Sequence, residues 1–507
     1  MQKTILFVLL LITKILVAQP HIQQARCDNN WIIGYGSAVI TNTEPCSQIT
    51  NLPTLTIQPQ ASSIRFNETC ASISDSLGNL LFYTNGIHIA NKNYQIMQGS
   101  DTLNLGYWSS PNATIDGYRQ VQGALILPFP NQTNKYYVFH SRIPNPDELP
   151  YAGRKLYYSV VSIHPSTGLS RVVSLRNPII QNDSLDGRIT ACRHANGRDW
   201  WIMVWRLSTG EYMPLLLDIN GIHTTNWQRG APQSDFTANA AIGQSIFSPN
   251  GRKFAINNNY NWQRGNFVSL YDFDRCTGLL SNRQQHHFSD SSGAAGVSFS
   301  PNSEILYFNS ASRLYSTNLN NINLFSNINT VASYDGFTQF GVATNFYLQH
   351  LASDGKIYMC APNGVQYLHT INDPNNPVIP NFTQHNIMLS TFNAFTVPNF
   401  PNFRLGVLSG TICDTLSVAT EQSLRNPHIK VFPNPTSDIL NIHINTLTTN
   451  AVAHIYNTLG QVVFKQNLLY SDNTLSLPTI LPNGIYFMSI YTNQKLIGTQ
   501  KIVLLKD

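Results

Sequence analysis

Charge is scarce in this chain. Asp, Glu, Lys and Arg make up 11% of the 507 residues, hydrophobic residues make up 42%, and the formal net charge is +5. A disordered polyelectrolyte is excluded by that balance. No run of Lys and Arg exceeds two residues, so the clustered basic footprint of a nucleic-acid binder is missing. Signatures of chemistry are missing too: there is no GxSxG, no HExxH, no EF-hand loop and no CxxC. The sequence therefore offers no catalytic residue, no metal-ligand set and no cofactor motif. The one adjacent histidine pair, His286 and His287, would point to opposite faces of a strand and could not share a metal. Long apolar runs are also lacking after the first twenty residues. The opening, MQKTILFVLLLITKILVAQP, places Lys3 before an apolar core at 5–12 and the small Ala18 after it. That order predicts a signal peptide over 1–18, cleaved at Ala18, and a mature chain with no transmembrane segment. Seven cysteines follow, an odd number, so at least one stands outside any internal disulfide.

What the chain does have is Asn, Ser and Thr, the residues of solvated turns and β-surfaces, and an internal repeat. FSPNGRKFAIN, FSPNSEILYFN and LASDGKIYMCA place Asn250, Asn302 and Asp354 at steps of 52 residues. Each is a turn followed by alternating apolar residues, the pattern of a hairpin. Weaker copies centre on Asn196, Asn131 and Gly78. Further strand patterns at 156–163 and 267–273 lie between hairpins. A repeat of this length holding about four short strands predicts an all-β fold, a β-propeller over 27–413. Seven blades fit the spacing, with six or eight as alternatives. A seventh blade shared between 30–40 and 403–410 would close the ring and remove exposed edges. Cys27 and Cys413 flank that closure and are candidates for a disulfide.

Periodicity lapses over 414–428, which reads as a linker. KVFPNPTSDILNI then opens a second domain, 429–507, a small β-sandwich. Pro433 and Pro435 cannot donate ladder hydrogen bonds and are expected at the entry to its first strand. Strands are predicted at 439–444, 451–456, 462–467, 474–477, 484–492 and 495–505.

The segment 431–506 resembles the C-terminal sorting domain of the type IX secretion system of Bacteroidetes. The residues that carry the resemblance are Pro433, Asn434 and Pro435 in VFPNPTSDILNI, Gly460 in IYNTLGQVV, Gly484 in LPNGIYFMSI and Lys501 in KIVLLK. The resemblance implies passage through the periplasm, recognition by the type IX machinery, and attachment to the cell surface or release. The preceding region is similar to the propeller found in Bacteroidetes surface proteins, including those associated with gliding motility, through ITACRHANGRDWWIMV, GVSFSPNSEILYFNS, LASDGKIYMCAPNG and VPNFPNF. It implies location and architecture rather than a chemistry.

Two clusters are candidate ligand-binding residues. Arg193, His194, Trp200 and Trp201 gather charge and aromatic surface around the turn at Asn196 and Gly197. Packing is the competing account, with one tryptophan between blades, the other nearer solvent, and Arg198 and Asp199 solvated. Tyr107, Trp108, Tyr118 and Arg119 lie in a lengthened loop and are residue types that anchor contacts. The expected function is an exported, non-enzymatic binding or adhesion module for an extracellular glycan or protein. The alternative is an exported hydrolase with its active site at the propeller axis.

Overall fold

In the computed structural model, residues 26–34, 46–50, 55–100, 103–104, 117–143, 154–207, 209–232, 243–261, 265–288, 290, 294–321, 323–414, 429–444, 451–457, 461–492 and 495–506 are described. Ala18, Tyr107, Trp108 and Gly460 lie outside them, as does the predicted signal peptide. Every regular element among the described residues is a strand. The chain divides into two compact units, Met1–Asp414 and Thr415–Asp507.

Beside one two-stranded sheet, Thr338–Gln339 with Val342–Ala343, the first unit builds seven antiparallel sheets of three to five strands among the described residues. Their innermost strands are, in order, Asn30–Ile33, Ala71–Ser74, Ala124–Pro128, Thr190–Arg193, Gly243–Phe247, Val297–Phe299 and Gln349–Leu351. All seven are rich in buried residues, polar ones such as Ser72, Gln244 and Gln349 among them. Neighbouring inner strands of the first, second and third sheets lie side by side, as do those of the fourth through seventh. The third sheet is joined to the fourth by the Ile189 amide, which donates to the Gln122 carbonyl at 3.0 Å. The seventh meets the first: the outer strand Phe382–Asn393 lies against the strands Cys46–Thr50 and Thr56–Gln60. At the same junction Trp31 packs edge-on against His350 and Tyr358. The series of sheets thus returns to its start.

The repeated turns join the first and second strands of their sheets. In the fifth sheet the Ser248 hydroxyl donates to Asn250 Oδ1 at 2.7 Å and the Gly251 amide to the Ser248 carbonyl at 2.8 Å. Ser300, Asn302 and Ser303 repeat these bonds in the sixth, at 2.6 and 2.8 Å. The residue after each Asn or Asp is left-handed: φ is +68° at Gly251, +65° at Ser303 and +83° at Gly355.

Two expectations about closure are corrected. The segment 403–410 forms no strand, and the described part of 30–40 pairs elsewhere, Asn30–Ile33 with Cys46–Thr50. Cys413 pairs with Cys276, their Cα atoms 5.7 Å apart, and Cys27 is a buried free thiol that burial pushes up to about 12. The first two sheets hold three strands each rather than four among the described residues.

The second unit is two antiparallel sheets, of three and four strands, that share an apolar core of Leu440, Ile442, Ala453, Ile455, Met488, Ile502 and their neighbours. Alternation along Ile439–Ile444 and Ala451–Tyr456 sends every second residue into that core. The first strand is Ile429–Phe432, ahead of the prolines, so Pro433 and Pro435 stand between two strands rather than at the entry to the first. The residues after them dock on the final strand. Asn434 Nδ2 donates to the Lys501 carbonyl at 2.6 Å and its Oδ1 accepts from the Val503 amide at 2.8 Å. Thr436 continues the contact, its amide donating to the Val503 carbonyl at 2.9 Å.

Candidate functional site

Inner strands that surround an axis have no further strand to pair with, so their inward N–H and C=O groups need other partners. Glutamine carboxamides supply them, because a carboxamide offers the same donor and acceptor as a peptide group. Gln122 spans from the third sheet to the fifth: its Nε2 donates to the Ser245 carbonyl and its Oε1 accepts from the Ser245 amide, both at 2.8 Å. Gln244 does the same toward the seventh, donating to the Gln349 carbonyl at 2.6 Å and accepting from the Gln349 amide at 3.2 Å. Two side-chain amides thus bridge inner strands of sheets that are not neighbours.

After the seventh sheet the chain turns inward as a strap that crosses the end of the ring where the repeated turns lie. Asn399 is its hub. The Asn399 amide donates to the Cys70 carbonyl at 2.9 Å, and its side-chain Nδ2 to the carbonyls of Ala124 at 2.9 Å and Ile189 at 2.8 Å. One residue thus ties the second, third and fourth sheets. Asn402 donates to the Pro249 carbonyl at 2.7 Å, and the Leu408 amide to the Ala195 carbonyl at 2.8 Å. Phe403 meets Trp200 edge-on. A Cβ on Gly251 would stand 2.6 Å from Leu405 of the strap, so the repeat's Gly here is required by close approach as well as by its positive φ. The disulfide Cys276–Cys413 fastens the strap's far end.

Between the strap and the inner strands of the fourth to seventh sheets lies a cavity of about 410 Å³. Its exposed rim includes the turn tips Asn250 and Asn302. Its apolar surface comes from Phe247, Phe299 and Phe400. Asp28 and Arg404 form a two-pronged ion pair in its wall, at 2.7 Å for each prong, with the Asp28 side chain buried and Arg404 half exposed. His350, in the same wall, is buried against Trp31 and Phe400. Burial lowers its proton affinity to about 4, with Asp28 opposing and Arg404 adding, so the ring is neutral at pH 7. The Thr190 hydroxyl lines the cavity, is buried, and has no hydrogen-bond partner among the described residues.

The sequence-predicted candidates do not converge here. Tyr118 is buried, its hydroxyl accepting from the Ile143 amide at 2.5 Å, while Arg119 beside it is exposed. Arg193 lies over the Trp200 ring at 4.0 Å and donates to the Arg198 carbonyl at 3.1 Å; burial lowers its proton affinity to about 10. His194 accepts from the Asn196 amide at 3.0 Å and sits 3.2 Å from the Cys276 carbonyl. Both tryptophans are buried, Trp201 donating its indole N–H to the Arg275 carbonyl at 2.8 Å. The cluster is thus packing around a turn. The expected solvation fails in detail, since Trp201 is not at the solvent face and Asp199 is buried, ion-paired to Arg198 at 2.7 Å. His286 and His287 do face opposite ways, toward Phe325 and Phe267. Thr190, His350, Asp28 and Arg404 were not singled out by sequence, because they lie far apart in the chain and belong to no motif. The only available signal was 397–403, whose Pro-Asn punctuation and lack of alternation mark a non-strand crossing.

Comparison with known proteins settles the second unit. Residues 430–505 match the family model of the secretion system C-terminal sorting domain. This sorting domain implies recognition by the type IX machinery and export to the cell surface or the extracellular space. A funoran endo-beta-hydrolase from Wenyingzhuangia aestuarii is 30% identical over 91 residues, which is 18% of this chain and 12% of the relative. The chain thus spans about an eighth of that relative's length. Among solved structures, a Lactobacillus plantarum protein is similar with a TM-score of 0.43, at 10% identity over 72% of this chain and 98% of that one. The periplasmic gluconolactonase of Pseudomonas aeruginosa is similar with a TM-score of 0.41, at 9% identity over 72% of this chain and 99% of that one. Among the described residues no helix is long and apolar enough to cross a membrane.

Proposed function

We propose that the chain is a type IX substrate whose first unit is a seven-bladed β-propeller and that this propeller is a binding module presented at the cell surface or released. Seven sheets whose inner strands lie side by side, with the last returning to the first, support the propeller. The observation that carries the binding reading is the occupation of the axis. Two glutamine amides bridge inner strands there, and the carboxylate that reaches the cavity wall, Asp28, is engaged by Arg404. A glycosidase-type mechanism would need two convergent carboxylates, one of them able to take a proton. The ring thus offers a shaped polar cavity on a rigid support, the usual form of a small-ligand site.

Two measurements test this reading. Cells expressing the chain without residues 430–507 are expected to retain it inside the outer membrane, and its appearance at the surface would refute type IX sorting. The exported full-length protein is expected to bind components of extracellular polymer without changing them. Cleavage products accumulating from a polysaccharide at substoichiometric protein would establish the hydrolase instead.

A further inference from the structure

Five features of the cavity under the strap bear on what it holds. Its two ionised groups cancel, since the Asp28 carboxylate and the Arg404 guanidinium satisfy each other through two bonds of 2.7 Å. An anionic ligand would have to displace the buried Asp28 carboxylate from Arg404 and leave it unpaired, and a cationic one would have to compete with Arg404 for Asp28. The remaining titratable wall group, His350, is an uncharged imidazole that makes no hydrogen bond to the described residues. The Thr190 hydroxyl is likewise buried without a partner. Buried polar groups in native proteins are nearly always hydrogen-bonded, so the Thr190 hydroxyl, on a residue of the cavity wall, lacks a partner that a ligand would supply. A neutral imidazole offers one donor and one acceptor, and a hydroxyl offers both. Their natural complement is another hydroxyl. The phenylalanine surface within the wall adds an apolar side to the same space. Its volume, about 410 Å³, falls in the range of about 300–1,000 Å³ usual for small-molecule sites.

We infer that this cavity binds an uncharged saccharide unit, with Thr190 and His350 hydrogen-bonding its hydroxyls, the Asp28–Arg404 pair presenting adjacent acceptor and donor edges, and the phenylalanines covering its C–H face. This rests on the reading of the ring as a binding module and adds the class of ligand and the residues that select it. Selection works by charge balance: a sugar acid or amino sugar brings a charge for which the wall has no free counterpart. Hydroxyl recognition works by pairing: a site that leaves a polar group unsatisfied discriminates against ligands that cannot reach it.

The test uses the full-length exported protein and isothermal titration with neutral disaccharides (cellobiose, laminaribiose, lactose) beside digalacturonic acid and chitosan disaccharide. At least one neutral probe is expected to bind, with the charged probes weaker by about tenfold or more. Thr190→Val keeps the side-chain shape and removes the hydroxyl. It is expected to lower neutral-sugar affinity about tenfold with an unchanged or higher melting temperature. His350→Gln, which retains one donor and one acceptor, is expected to bind more tightly than His350→Leu. Preference for a charged probe overturns the inference and leaves the binding module standing. Neutral-sugar affinity unaltered in both Thr190→Val and His350→Leu places the sugar elsewhere and also overturns it. Failure of every probe, neutral and charged, overturns the cavity as a sugar site and leaves the binding reading to its own test with extracellular polymer.

Discussion

The two units of this chain solve the problem of a β-core in opposite ways. The sorting sandwich buries aliphatic side chains between two sheets, and its described buried polar side chains are only Thr436 and Ser489. The ring encloses polar groups in quantity: the glutamine amides of the axis, three histidines, and Asp186 with Arg188, an ion pair of 2.6 Å with neither side chain exposed. Arg188 also donates to Asn258 Oδ1 at 2.6 Å, tying the fourth sheet to the fifth. The difference follows from geometry. Two stacked sheets satisfy their backbone within each layer, whereas sheets arranged about an axis turn unpaired strand edges inward and must supply side chains to meet them. A polar interior fixes which groups can face each other, and the same surplus of oriented donors and acceptors makes a ring a ready place for a site.

The contrast can be broken most forcefully at the buried ion pair. Asp186→Ala leaves the Arg188 charge unpartnered and is expected to destabilise the ring by about 3–5 kcal/mol, seen as a fall in denaturant midpoint. The corresponding blow to the sandwich is apolar. Leu440→Ala should cost it about 2–5 kcal/mol through transfer and cavity terms. If the two units melt separately, each variant should move only its own transition, and a shift of both would show that the units do not behave independently. Reducing Cys276–Cys413, which closes a separation of 137 residues, is expected to cost the ring about 2–4 kcal/mol and the sandwich nothing. Thermal melts with and without reductant report this.

The smallest effect per step is a pH dependence. Burial lowers the proton affinity of His140 to about 3 and of His350 and His369 to about 4, from an ordinary value of 6.5. The unfolded chain therefore takes up these protons first as pH falls. The stability held by neutral burial is complete above about pH 6.5 and is lost as pH drops toward 4, at about 1.4 kcal/mol per pH unit for each histidine. In the sandwich, His454 is only partly buried and that burial lowers its proton affinity, so its transition should move in the same direction as the ring's but by less. Replacing His369 with Gln should make the ring's slope shallower, and an unchanged slope would show that this histidine does not contribute to it.

Legibility followed the same division. In the sandwich, alternation alone places strands at 439–444, 451–456 and 484–492 where the structure has them, because one buried face and one solvated face write themselves into every second residue. The missed strand, Ile429–Phe432, is short and precedes two prolines that drew the boundary too late. In the ring, the turns at Asn250, Asn302 and Asp354 were legible because a left-handed position and a tight Ser-Asn bond restrict the residues that fit. The closure was not legible. Whether Cys413 meets Cys27 or Cys276 depends on where a strap without periodicity crosses the sheets, and no local pattern encodes that path. The cavity was hidden for the same reason: Asp28 and Arg404 are 376 residues apart.

The strap also sets an order in time. Asn399, Phe400 and Arg404 belong to the last twenty or so residues of the first unit, yet they hold together sheets made from its beginning. A chain grows from its N-terminus, so when the seventh sheet has emerged the hub of the ring and one wall of the cavity are still to come. A chain truncated before residue 394 would carry all seven sheets and still lack the hub and that wall. The keystone arrives just ahead of the sorting domain, so the address that sends this molecule outward is written only after the residue that completes it.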